Sequence, residues 1–108
     1  MDAFDIDHLI ETRRAGERRY HEFLRVPAMS AGLYGLPAGG VDPQPVHRED
    51  EVYVVVRGRA TLQVAGEDRP MGPGSVAYVA AGVDHRFHSI EEDLEVLVLF
   101  APAESSGS

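Results

Sequence analysis

Turn-forming residues cut this chain into short segments from Arg19 onward. Pro37-Ala38-Gly39-Gly40, Gly58, Ala65-Gly66-Glu67-Asp68, Gly72-Pro73-Gly74, Gly82 and Glu91-Glu92-Asp93 recur at the short, regular spacing of a β-sandwich or barrel. The segments between them are rich in valine, with 13 in 108 residues, and β-branched side chains favour the pleated, half-buried surface of a strand. Strands are therefore predicted at Arg19 to Val26, Met29 to Leu36, Val46 to Arg57 with its first residues irregular, Arg59 to Val64, Ser75 to Ala80, His85 to Ile90 and Leu94 to Phe100. The expected fold class is all-β.

One helix precedes them. Asp5 or Asp7 is placed to cap a segment in which Ile6, Leu9 and Ile10 share a face, with Arg13 and Arg14 near its end and Gly16 as the stop. A helix of about ten residues is unstable alone, so that face must dock on the main body or on a second subunit. The reading divides the chain into a helix and arm over 1–28, a barrel over 29–102 and a flexible tail over 103–108, with Glu104 to Ser108 read as loose. Two strands are apolar on both faces, Val52-Tyr53-Val54-Val55-Val56 and Val96-Leu97-Val98-Leu99-Phe100. One face can line a barrel, and the other needs the amino-terminal segment or a second subunit over it. A homodimer is the expected assembly.

Composition narrows the chemistry. The net charge is −8, the wrong sign for neutralising a phosphate backbone, so no nucleic-acid partner is expected. There is no cysteine, and all ten basic residues are arginine, which excludes thiolate ligands, cysteine nucleophiles and lysine Schiff bases. The acidic start and the short longest apolar run, Val96 to Ala101, fit neither a secretory signal nor a membrane span, so a cytoplasmic protein is expected.

The chemistry concentrates at His47-Arg48-Glu49-Asp50-Glu51, where a two-residue period puts His47 and Glu51 on one face, and at His85 after the Ala80-Ala81-Gly82 turn. Two neutral imidazoles and a carboxylate suit a divalent transition metal, with positions left for water, oxygen or substrate. The bland alternative is a metal-free His-carboxylate pair bracing a barrel mouth. Glu49 shares the inward parity and is a candidate for proton transfer or for supporting a ligand. His88, of opposite parity to His85, is expected to be structural or interfacial, and His8 and His21 solvated or packing residues. Tyr53, Phe87 and Tyr78 are candidates for pocket walls, with core packing the more common role of strand aromatics.

These positions resemble the two motifs of a single-domain cupin, over roughly Ser30 to Pro102. Gly39, His47, Glu51 and Gly58 keep the register of the first motif, with Pro45 where its first histidine stands. Gly74, Gly82 and His85 keep the second, with Ala80 in place of proline and Ser89 in place of asparagine, and 15 residues separate the two. The resemblance implies a jelly-roll β-barrel. It also implies a metal held by His47, Glu51 and His85, three of the family's four usual ligands, with iron, manganese, zinc or nickel all open. Gln44 is an alternative oxygen ligand, although its parity points it away from His47. Two functions follow from the resemblance. One is a metalloenzyme of oxygenase or isomerase/lyase type acting on a small polar molecule. The other is a non-catalytic binding or sensory cupin with structural, weak or no metal.

Overall fold

The computed structural model describes residues 1–43 and 45–105. One helix, α1 (Ile6–Ala15), is followed by six strands: β1 (Tyr20–Val26), β2 (Met29–Leu36), β3 (Asp50–Val64), β4 (Glu67–Met71), β5 (Val76–Val79) and β6 (His85–Ala101). All pairings are antiparallel, in the order β1-β2-β6-β3-β4, and β5 pairs with β3 beside β4.

Two long strands organise the barrel, and the sequence reading had broken both. Gly58 does not end a strand. It lies inside β3 with a positive φ of 89°, where a Cβ would sit 2.3 Å from the Asp93 carbonyl oxygen, so only glycine lets the strands cross this closely. The β3–β6 register shifts at this point, between Val55 and Thr61, and such irregularities bend paired strands. Glu91-Glu92-Asp93 likewise runs through β6 as exposed strand. A turn residue in a continuous, bent strand gives the same sequence signal as one in a loop. The reverse error concerns β4, whose five residues include Glu67 and Asp68, read as turn; four of the five are exposed, so no apolar alternation marked them. The 46–49 segment, expected as the irregular start of a strand, precedes β3.

The inward rows of β2, β3 and β6 form the main core, with Tyr34, Leu36, Tyr53, Val55, Val96, Val98 and Phe100 at its centre. The outward row has a second, smaller core. Leu9 and Ile10 of α1 pack on Leu33, with Phe23, Val56 and Leu97 around them, and burying each such side chain contributes roughly 1.5–3 kcal/mol. The helix therefore supplies one of the two covers anticipated for the outer valines. Ile6, assigned to the same face, is 37% exposed, and the Asp5 side chain makes no capping hydrogen bond.

Candidate metal centre

His47 reaches the site from a loop, not from a strand face. The β5–β6 turn holds it there. Gly82 N–H donates to the His47 carbonyl at 2.8 Å and Ala81 N–H to Asp50 Oδ1 at 2.9 Å, so the turn preceding His85 is stitched to the segment carrying His47. Strand parity gave the correct grouping for the wrong reason. Glu51, near the start of β3, enters between them. The ligand atoms of His47, Glu51 and His85 lie within 4.8 Å of one another, and all three residues are buried.

Their electrostatics are unusual for a buried cluster. His85 places Nδ1 2.9 Å from the Val83 carbonyl oxygen; a carbonyl only accepts, so Nδ1 carries the hydrogen and Nε2 the lone pair of the neutral ring. That Nε2 lies 3.1 Å from Glu51 Oε1. Neither Glu51 oxygen, nor His85 Nε2, has a well-directed hydrogen bond among the described residues. A lone pair facing a carboxylate across 3.1 Å is repulsive unless a proton or a cation lies between them. Burial pushes the His85 pKa down, but the close approach and charge of Glu51, with the Val83 carbonyl, leave it above the usual imidazole value. Burial moves His47 the other way and keeps it neutral, against the pull of Glu51. Orphaned carboxylate oxygens, a neutral imidazole and a poised lone pair fit a divalent cation of the borderline class.

Further carboxylates surround the three. Glu49, 3% exposed, accepts from Ser105 N–H and Ser105 Oγ at 3.1 and 2.6 Å through Oε2. Burial opposes its charge, but the Ser105 bonds lower its pKa. Glu104 Oε2 lies 3.2 Å from His47 Nδ1, and burial with the charges of Glu49, Glu22 and Glu51 pushes its pKa up. Glu104 and Ser105 had been read as loose tail; they instead fold back onto the site. A short polar segment after the last apolar strand contains no pattern that predicts docking, because its partners, Ser30, Glu49 and His47, are remote in sequence.

A cavity of about 220 Å³ adjoins the cluster, lined by Tyr20, Tyr34, Pro43, Pro45, Phe100, His47, Glu104 and Arg19. Pro45 thus forms wall where the cupin motif has its first histidine. The Tyr20 hydroxyl is buried without a hydrogen-bond partner among the described residues. Its pKa is raised by burial and by Glu104, Glu22 and Glu51, which keeps it a donor. Tyr34 Oη donates to Asp42 Oδ1, and Asp42 Oδ2 accepts from Phe87 N–H at 2.9 Å. Tyr20, Tyr34 and Asp42 were not singled out from the sequence.

The other candidates sort by burial. Tyr53 and Phe87 are core residues beside His85, with Tyr53 ring centroids 5.9 Å from His85 and 5.2 Å from Phe87. Tyr78 is 61% exposed and lines no part of this cavity. His88 is structural, with Nε2 2.9 Å from Asp68 on β4. His8 is exposed and His21 half-buried, both outside the site. Gln44 lies outside the described residues.

A profile of the cupin domain matches residues 32–101. The chain belongs to the cupin family. This cupin is 52% identical over 105 residues to the uncharacterized protein SCO3923 of Streptomyces coelicolor, an alignment spanning 97% of this chain and 100% of that one. The structure of TT1209 from Thermus thermophilus superposes with a TM-score of 0.77 at 24% identity, covering 95% of this cupin and 99% of that chain. The DMSP lyase DddQ from Ruegeria pomeroyi superposes with a TM-score of 0.69 at 22% identity, over 79% of this cupin and 48% of that chain. These superpositions establish the shared fold. No helix among the described residues is long and apolar enough to cross a membrane.

Proposed function

We propose that this cupin binds a divalent transition metal through His47, Glu51 and His85 and acts on a small polar molecule in the adjoining cavity, in an oxygenase or isomerase/lyase type of reaction. The observation carrying the reading is the buried Glu51 carboxylate, which has no well-directed hydrogen bond among the described residues while His85 Nε2 approaches to 3.1 Å. When bound, the metal supplies Lewis-acid polarisation or oxygen activation at its open positions. The chain's own residues do the rest. Tyr20 donates a hydrogen bond to an oxygen of the bound molecule, and Tyr34, Phe100 and the two prolines exclude water. DddQ, which shares the fold, is a lyase, and that supports the lyase alternative by analogy. Iron, manganese, zinc and nickel are all compatible with the donor set.

Elemental analysis of untagged protein tests the metal. About one metal per chain, with almost none in a His47→Ala/His85→Ala variant, is the expected outcome; no metal in the parent, even after anaerobic reconstitution with iron, sinks the reading. Pro45 in place of a ligand favours the second reading, a binding or sensory cupin with weak, structural or no metal. A chelator separates the two, since ligand binding at a metal-centred site is lost and binding in a metal-free pocket persists.

We also propose a homodimer. Val52 pairs with Tyr78 and Leu99, and Val54 with Val76 and Leu97, so these six form one outward apolar patch. Val76 and Tyr78 are its most exposed members, and contiguous apolar surface of this kind marks association. Light scattering should give twice the chain mass, reverting to the monomer in Val76→Asp/Tyr78→Asp; a monomeric parent refutes the dimer.

A further inference from the structure

Residues 103–105 are tied down by a set of hydrogen bonds to the barrel. Ala103 N–H donates to the Pro27 carbonyl at 3.4 Å, and Glu104 N–H to Ser30 Oγ at 2.9 Å. Arg25 Nη2 donates to the Glu104 carbonyl at 2.6 Å, and Ser105 donates twice to Glu49. The backbone is therefore fixed on both sides of Glu104. What this arrangement delivers is one carboxylate, its Oε2 3.2 Å from His47 Nδ1. Electrostatics alone oppose the placement, because Glu49, Glu22 and Glu51 are all close enough to repel it. A strap that served only to cover the barrel could end in any polar residue.

The two histidines then have parallel environments. His85 has an oxygen acceptor at Nδ1, the Val83 carbonyl, and turns Nε2 toward Glu51. At His47 the Glu104 carboxylate occupies the corresponding place, its Oε2 3.2 Å from Nδ1, a close approach rather than a well-directed hydrogen bond in this geometry. In a neutral imidazole only one nitrogen carries the hydrogen, so an acceptor at Nδ1 commits Nε2 to the lone pair. We propose that Glu104 is a positioning residue of this metal centre: its carboxylate accepts a hydrogen bond from His47 Nδ1–H and thereby selects Nε2 as the ligating nitrogen, the role that the Val83 carbonyl has for His85. With Pro45 where the cupin motif has another histidine, ring orientation at the remaining two matters more to affinity. The metal-affinity part of the proposal rests on the metal-centre reading above; the tautomer part does not.

Two measurements test it. The first is nitrogen-15 NMR of the imidazoles in metal-free protein near pH 8, where burial holds His47 neutral. The parent and Glu104→Gln, whose amide oxygen still accepts, should show His47 with hydrogen on Nδ1. Glu104→Ala should shift His47 toward the Nε2–H form, with the His85 signals unchanged as the control for folding. The second is Co²⁺ titration followed by ligand-field absorption. Losing the outer partner of a ligating histidine typically weakens metal about 10- to 100-fold; that loss is expected for Glu104→Ala and a much smaller one for Glu104→Gln. A parent His47 with hydrogen on Nε2, or a tautomer and Co²⁺ affinity that do not change in Glu104→Ala, overturns the assignment while leaving the metal centre intact. Failure of the parent to take up Co²⁺ overturns the metal-centre reading instead, and the NMR result then decides the Glu104 assignment by itself.

Discussion

Glu51 and Glu95 are equally buried, each 1% exposed, one inside the barrel and one on the outer sheet under α1, yet their surroundings are opposite. Glu95 is saturated with cations. Arg13 donates from Nε and Nη2 at 3.1 and 2.7 Å, and Arg14 from Nε at 3.0 Å. Gly35 makes this reach feasible, since a Cβ there would lie 2.1 Å from Arg13 Cζ. Glu51 has no arginine and no hydrogen bond among the described residues, only His85 at 3.1 Å. A buried carboxylate costs several kcal/mol unless paired. The chain meets that cost at Glu95 with its own side chains, which makes Glu95 a clamp for the helix. At Glu51 no arginine does so among the described residues; its neighbour is the His85 ring at 3.1 Å, which can be bridged to it by a proton or, on the reading proposed above, by a metal.

The widest separation between the two regions should appear in metal content. His47→Ala or His85→Ala is expected to remove most of the bound metal with the barrel still folded, whereas Glu95→Ala keeps about one metal per folded chain. Full occupancy in either histidine variant, read by elemental analysis, would break the comparison at its functional end. Stability of the metal-free protein should separate them in the opposite sense. Glu95→Ala leaves Arg13 buried and unpaired and is expected to cost about 3 kcal/mol, less than a fully buried pair because Arg14 is half exposed. Glu51→Gln should change metal-free stability by under about 1 kcal/mol, or raise it, since it removes an uncompensated charge. Urea midpoints that fall equally for both would mean that Glu51 is as structural as Glu95.

Protonation sharpens the contrast further. Imidazole must be neutral to bind metal, so occupancy should fall as pH drops below about 6. The raised pKa of His85 means that it takes its proton at a higher pH than an ordinary histidine and is the first ligand lost. In metal-free protein the two shifts act oppositely. His85, raised, adds stability that is present below its unfolded pKa and lost as pH rises through its folded one. His47, lowered, costs stability as pH falls through the imidazole range. Metal content should therefore vary with pH more steeply than metal-free stability does, and metal content constant between about pH 5 and 8 would point to other ligands. The smallest effect belongs to the second contact between α1 and the barrel. Arg57 and Asp7 meet at 2.6 Å but are largely exposed, so Arg57→Ala should cost under about 0.5 kcal/mol; a larger loss would show that Glu95 is not the principal clamp.

How much of this was legible depends on the range of the interaction. Met29–Leu36 is a strand with the predicted bounds, and α1 ends at Gly16 as its cap residues indicate, because alternation and caps are local signals. Gly58 and Glu91-Glu92-Asp93 misled because a residue that permits a bend gives the same signal as one that permits a turn. His47 was grouped with Glu51 by parity, although a loop tethered by Gly82 places it. The cupin motifs supplied His47, Glu51 and His85, while Glu104, Tyr20 and Asp42 carried no signal, each acquiring its role from a partner distant in the chain.

The sequence by itself determined the all-β class, the helix, the cupin register and the grouping of His47, Glu51 and His85, since periodicity, turn chemistry and motif spacing are properties of neighbouring residues. Only the tertiary structure decided which buried carboxylate is paired with arginines and which faces histidine. Arg13 and Glu95, like Glu104 and His47, are brought together by the closing of the sheet, and charge compensation depends on distance in space.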